Sequence, residues 1–342
     1  MGHYAVLWQQ QDPPRLCFQA PQIGGFLFAH GGVFLTSVVP STLVATRVPF
    51  DKETLTVAQQ CARIMERGLT CDTAALEQVL CRTSYYRLSG YLWWFQTSDA
   101  SHALREGTTL DDVIRLYEFD AKLRGLLLEC VQIVEVWFRS QFTNHLANKF
   151  GPMAYVDPRY FANPGALKRD KAKLGERLAP PTEVFIESFF RNYSDDYPPV
   201  WMATEVMSLG LLSKWFDNLK IDSLRKAIAS DSGLNQDVLA SYLRQMTVIR
   251  NACAHHNRLW NRTFGTGIKL SKQGDPQLLT ALVGSDDSKI YRALVYSAYL
   301  VKKIQPDSGL PARLKAHIMS GDDDWIIEMD APNDFEKDDL WV

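Results

Sequence analysis

The chain has 342 residues, enough for one large domain or two modest ones, and its 46% apolar fraction is ample for a packed core. A formal charge of −2 excludes a globally basic nucleic-acid binder, while leaving room for a local basic patch.

Residues 1–47 carry one acid, Asp12, and two bases, Arg15 and Arg47. "FLFA" and "VFLTSVV" flank "HGG", which suits a hairpin; a disordered arm is the alternative. The apolar run 23–45 is interrupted by two Gly pairs, His30 and Pro40, so it falls short of the ~18–20 unbroken residues of a membrane span. No basic stretch precedes it, and the expected location is the cytoplasm, with no membrane partner. Residues 1–48 read as an N-terminal extension divergent from the rest of the chain.

From residue 49 the pattern becomes helical, and 49–107 reads as an N-terminal helical subdomain. "LTVAQQCARIMERGL" is a helix stopped by Gly68. "DTAALEQVLCRTSYYRLSGYLWWF" is a second helical segment, expected to break near Ser89–Gly90 into an aromatic cluster. Cys17, Cys61, Cys71, Cys81, Cys130 and Cys253 form no C-x-x-C pair and read as reduced, mostly buried thiols.

The core is placed at 108–305. Its first segment, 108–151, is the longest periodic one, with Ile114, Leu116, Phe119, Leu123, Leu127, Val131, Val134 and Phe138 at three- and four-residue steps. Thr109 with Asp112 offers a capping box, and Gly151–Pro152 a stop. Asp120 with Arg124, and Glu135 with Arg139, are i,i+4 acid-to-base pairs, read as a polar stripe. Prolines break 152–200 into loops and short helices, among them a solvated "LKRDKAKLGERL". Helical periodicity resumes over 200–219, 237–262 and, as a last amphipathic helix, 289–304. The remainder, 306–342, holds an acidic tail: a docked Trp followed by a solvated end. No strand alternation recurs after residue 48, so the fold is expected to be all-α.

The window 238–274 contains Arg244, Arg250, Arg258, Arg262, Lys269, Lys272, His255 and His256, and no Asp or Glu. A charge-balanced chain has concentrated one sign there, which suits a polyanion. On a helix Asn251 and His255 lie one turn apart on one stripe, and the long arm of Arg250 reaches the same spot. His256 points about 100° away from His255. An imidazole moves protons near neutrality and a guanidinium neutralises phosphate. Together they suit attack of a ribose 2′-hydroxyl on its own phosphate, a reaction that needs RNA, no cofactor and no metal. R-x4-H is by itself a common pattern, and such residues also serve as ordinary surface or interface groups. The adjacent histidines and missing carboxylates do not fit metal-ligand spacing.

The stretches "PFDKETLTVAQQ", "SYYRLSGYLWWF", "LYEFDAKLRGLLLECVQIVEVWFRSQF", "FGPMAYVD", "PPVWMATEVMSLGLLSKWFDNL" and "VIRNACAHHNRLWNR" resemble, in order and spacing, the Abi-like (AbiD/AbiF) abortive-infection family of bacteria, within the HEPN superfamily. The resemblance covers about residues 49–328. It implies an all-α HEPN-type helical bundle, a homodimer, and a metal-independent endoribonuclease site of Arg250 and His255, with Asn251 at the polar position after the Arg. It gives Glu135 and Arg139 a supporting role. His256 is a secondary candidate, for RNA contact or helix packing. Arg244, Arg258, Arg262 and Lys269 form the expected RNA-binding patch. Expected partners are RNA, a second copy of the chain, and an antitoxin protein or small RNA. The aromatic "YYRLSGYLWWF" suits either stacking on RNA or packing between helices. Three readings share the fold: an endoribonuclease of antiviral defence, a non-catalytic RNA-binding module partnering a small structured RNA, and a helical dimerisation protein.

Overall fold

A computed structural model describes residues 53–99, 101–270 and 274–341. The expectations for residues 1–48, and Lys272 of the basic window, lie outside them. Among the described residues there are fourteen α-helices, short 3₁₀ turns and isolated bridges, and no strand, so the protein is all-α. Among these described residues, no helix is long and apolar enough to cross a membrane. The chain forms two compact units, dividing between Ile114 and Arg115.

In the first unit, α1 (Val57–Glu66) begins with a capping box between Thr56 and Gln59. It stops before Gly68, whose φ of 104° turns the chain. Asp72 caps α2 (Thr73–Thr83), accepting from the Ala75 amide at 2.9 Å. α3 (Tyr85–Leu92) comes next, and its helical course continues through a 3₁₀ turn at Trp93–Phe95. The break between these helices falls at Ser84, with φ 65°, and not near Ser89–Gly90. A mid-helix glycine costs only about 1 kcal/mol. Burial of Leu88, Tyr91 and Leu92 around Gly90 outweighs that.

α4 (Leu110–Phe150) opens with the expected reciprocal cap: the Asp112 amide donates to Thr109 Oγ1 at 3.2 Å, and the Thr109 amide donates to Asp112 Oδ2 at 3.0 Å. It ends at Gly151, φ 89°. In the second unit its buried stripe includes Leu116, Leu123, Leu127, Val134, Phe138, Phe142 and Leu146. Next come α5 (Pro164–Leu178), α6 (Val184–Asn192), α7 (Val200–Val206), α8 (Leu209–Asp217) and α9 (Asp222–Ser230). The solvated α5 still buries Leu167, Leu174 and Leu178 on one side.

α10 (Gln236–Ala254) packs against α8, α9 and α12. Its approach to α8 is close: a β-carbon added at Gly210 would meet Thr247 Cγ2 at 2.7 Å. α11 (Pro276–Ala281) and α12 (Ile290–Ile304) come after it. α12 is an inner helix, with every residue from Ile290 to Val301 buried. It is not the last, since α13 (Leu310–Ile318) and α14 (Asp323–Glu328) succeed it. The expectation of a solvated end is corrected too. Beyond the buried Trp325, the acidic tail folds back through Phe335, Leu340 and Trp341, all buried. Trp341 packs on Tyr291 and Phe335, at centroid distances of 6.3 and 6.1 Å. Three apolar side chains therefore hold down a segment whose charges alone read as solvated.

Candidate functional site

The helix expected over 237–262 ends at Ala254. His255 is its C-cap, and its amide donates to the Asn251 carbonyl at 3.0 Å. His256 takes a φ of 57°. Its amide donates to the Cys253 carbonyl (3.0 Å) and that of Asn257 to the Ala252 carbonyl (2.8 Å). This is a Schellman ending, with His256 where glycine usually stands. An L-residue there is strained, although His tolerates it better than most. The two histidines therefore differ for a reason other than the 100° step of a helix: one closes the helix and the other reverses the chain.

Arg250, Asn251, His255 and His256 are all exposed. Arg250 Nη1 lies 3.4 Å from Asn251 Oδ1. Arg250 and Asn251 thus lie together near the end of α10, and His255 caps it. Cys253 in the same turn is buried, which pushes its thiol up to about 12 and removes it as a neutral-pH nucleophile.

What holds this ending lies on α4. The Asp120 carboxylate is fully buried and accepts from the Trp260 amide at 2.8 Å and the Leu259 amide at 3.1 Å. It pairs with Arg124 at 2.5 Å, and Arg124 Nη1 donates to the Asn257 carbonyl at 3.5 Å. Leu259 and Trp260 are buried, and the Trp260 indole donates to the Trp325 carbonyl at 2.9 Å. The segment after the histidines is therefore anchored by three backbone contacts to one ion pair. Sequence reading put Asp120 and Arg124 on a polar stripe, and the structure buries them. A usable signal was present: Asp120 stands in the Leu116–Leu123–Leu127 stripe, a carboxylate where the pattern calls for an apolar residue.

The second pair of α4 is built differently. Glu135 and Arg139 are mostly buried and pair at 2.5 Å. Arg139 also donates to the carbonyls of Thr204 and Met207, the latter at 2.9 Å. It caps the end of α7, while Glu135 borders a small space lined by Tyr242, Leu243 and Met246 of α10.

The basic window is less uniform in space than in sequence. Arg244 is exposed and lies 3.7 Å from Asp217 of α8. Arg262 is half-buried, its guanidinium 5.5 Å from the Phe264 ring. Arg258 is half-buried and Lys269 exposed. Asp120 and Asp217 supply from elsewhere the carboxylates that the window lacks. Among the described residues, no group of three or more His, Cys, Asp or Glu is placed to hold a metal ion.

Fold and site together define an all-helical protein that displays an Arg–Asn–x3–His turn at the end of an anchored helix. The family model described as Abi-like protein matches residues 78–261, from within α2 through Asn261, and the chain belongs to that family. No curated protein and no solved structure matches it.

Proposed function

We propose that this chain is a metal-independent endoribonuclease of bacterial abortive-infection defence, acting in the cytoplasm as a homodimer. Membership of the Abi-like family supports the defence role. The exposed last turn of α10, with Arg250, Asn251 and His255 on a pinned backbone, carries the chemical reading. His255 takes the proton of a ribose 2′-hydroxyl, and the 2′-oxygen attacks the adjacent phosphorus. The bond to the 5′-oxygen breaks, and that oxygen leaves with a proton from a protonated imidazole. The products are a 2′,3′-cyclic phosphate and a 5′-hydroxyl end. Arg250 donates to the phosphate oxygens as charge develops on them. Asn251 orients the guanidinium that it touches.

His255→Ala abolishes RNA cleavage while leaving helical circular dichroism and dimer mass unchanged. Arg250→Ala weakens both cleavage and binding, with a binding loss that shrinks at high salt. Cleavage that is equal in wild type and His255→Ala overturns the catalytic reading. RNA bound tightly but never cut by the wild type leaves the chain an RNA-binding module, and sequencing the copurified RNA then identifies its partner. Loss of cleavage in EDTA points to a metal-dependent site instead.

A further inference from the structure

The aromatic segment of the first unit divides into two halves. Tyr85, Tyr91 and Phe95 are buried with Leu88 and Leu92, which accounts for packing. Tyr86 and Trp93 are not part of that core, at 61% and 49% exposed. They stand seven residues apart along the continuous helical course of α3 and its 3₁₀ turn, so both lie on one face, two turns apart. Gly90 is on the same face between them, and a β-carbon built there meets nothing within 4 Å. The strip is therefore two exposed rings flanking a bare stretch of helix. Their separation along the axis is about 10 Å, roughly three base-to-base steps of a nucleic-acid strand.

Basic side chains flank this segment along the chain. Arg82 is exposed in the last turn of α2. Arg105 is exposed at the other end, 5.7 Å from the Trp94 and Phe95 rings, and donates to the Trp94 carbonyl at 3.2 Å. Residues 78–98 contain no Asp or Glu. Glu77 and Glu106 stand just outside that stretch, and three further carboxylates are committed elsewhere. Asp72 caps the far end of α2, Asp99 holds the Thr97–Ser101 turn, and Asp112 closes the α4 cap.

We propose that Tyr86 and Trp93 form a stacking surface for two to three unpaired bases of a single strand, whose phosphates Arg82 and Arg105 neutralise. It is a binding site separate from the Arg250–His255 turn and indifferent to base identity, since every base has a face to stack. That the strand is RNA rests on the function proposed above. The stacking surface itself does not.

The test titrates a fluorescein-labelled 20-nucleotide oligouridine into the full-length His255→Ala protein, which cannot consume it, and follows anisotropy together with tryptophan emission. Quenching of tryptophan emission is expected with the single strand and not with a blunt duplex. Tyr86→Ala and Trp93→Ala each weaken binding on the order of tenfold, and Trp93→Ala also removes most of the quenching. Gly90→Leu, which fills the bare stretch without deleting either ring, weakens binding as well. Arg82→Gln lowers affinity and flattens its salt dependence. Circular dichroism confirms that each variant is folded. Unchanged oligouridine binding in folded Tyr86→Ala/Trp93→Ala overturns the proposal, even if the wild type cleaves RNA. Loss of dimer mass in that variant with oligouridine binding intact also overturns it and assigns the strip to protein contact. Conversely, a wild type that cuts no RNA, yet binds oligouridine through Tyr86 and Trp93, sinks the ribonuclease reading alone.

Discussion

α4 carries two acid–arginine pairs with the same i,i+4 spacing, and they do different work. Asp120–Arg124 is fully enclosed, and its carboxylate is spent on the amides of Leu259 and Trp260. Glu135–Arg139 keeps some solvent, and there it is the arginine that reaches out, to two carbonyls at the end of α7. One pair anchors a chain segment mainly through its acid, with Arg124 adding a longer contact to the Asn257 carbonyl, and the other anchors through its base alone. Identical spacing therefore says nothing about which partner faces the rest of the protein. The backbone that arrives, donor or acceptor, decides it.

The comparison breaks most visibly at Asp120. Asp120→Ala leaves Arg124 buried without its partner and two amides without an acceptor, and a cost of about 3–5 kcal/mol is expected in urea unfolding. Hydrophobic replacement of both partners is often neutral for a simple buried pair. Here Asp120→Leu/Arg124→Leu stays destabilised, because the Leu259 and Trp260 amides remain unmet. A double variant as stable as the wild type refutes the anchoring role. Arg139→Ala costs less, about 1–3 kcal/mol, since it strands two carbonyls near solvent. Hydrogen exchange at the end of α7 then speeds up while that at Leu259 and Trp260 does not.

A smaller effect sharpens the anchor's purpose. His256→Gly is expected to be about 1 kcal/mol more stable than His256→Ala, because both lose the imidazole and only glycine relieves the positive φ. Equal melting temperatures for the two contradict the Schellman ending. The smallest effect concerns His317, whose ring stacks on Phe119 at 4.5 Å and donates from Nε2 to the Phe119 carbonyl, next to Asp120. Burial pushes this imidazole below its ordinary value of 6.5. The unfolded chain then binds the proton more readily than the folded one. Stability is complete above the ordinary imidazole value and is lost as pH falls through it. Urea midpoints between pH 7.5 and 5 show this slope, and His317→Gln flattens it.

Much of the architecture was legible along the chain because it is made by neighbours. The Thr109–Asp112 cap, the stops at Gly68 and Gly151, and the apolar stripe of α4 all arise within about four residues. The contact between Arg250 and Asn251 is likewise one between neighbours. The end of α10 at Ala254 and the burial of the acidic tail were not legible, because each depends on what a distant part of the chain offers. Asp120 and Trp260 are 140 residues apart, and their hydrogen bond is what makes an acid of a polar stripe the anchor of the histidine turn. Tertiary structure likewise decided which rings of "YYRLSGYLWWF" fill a core and which face outward: period and composition mark a residue as apolar, while only packing determines whether any surface remains to cover it.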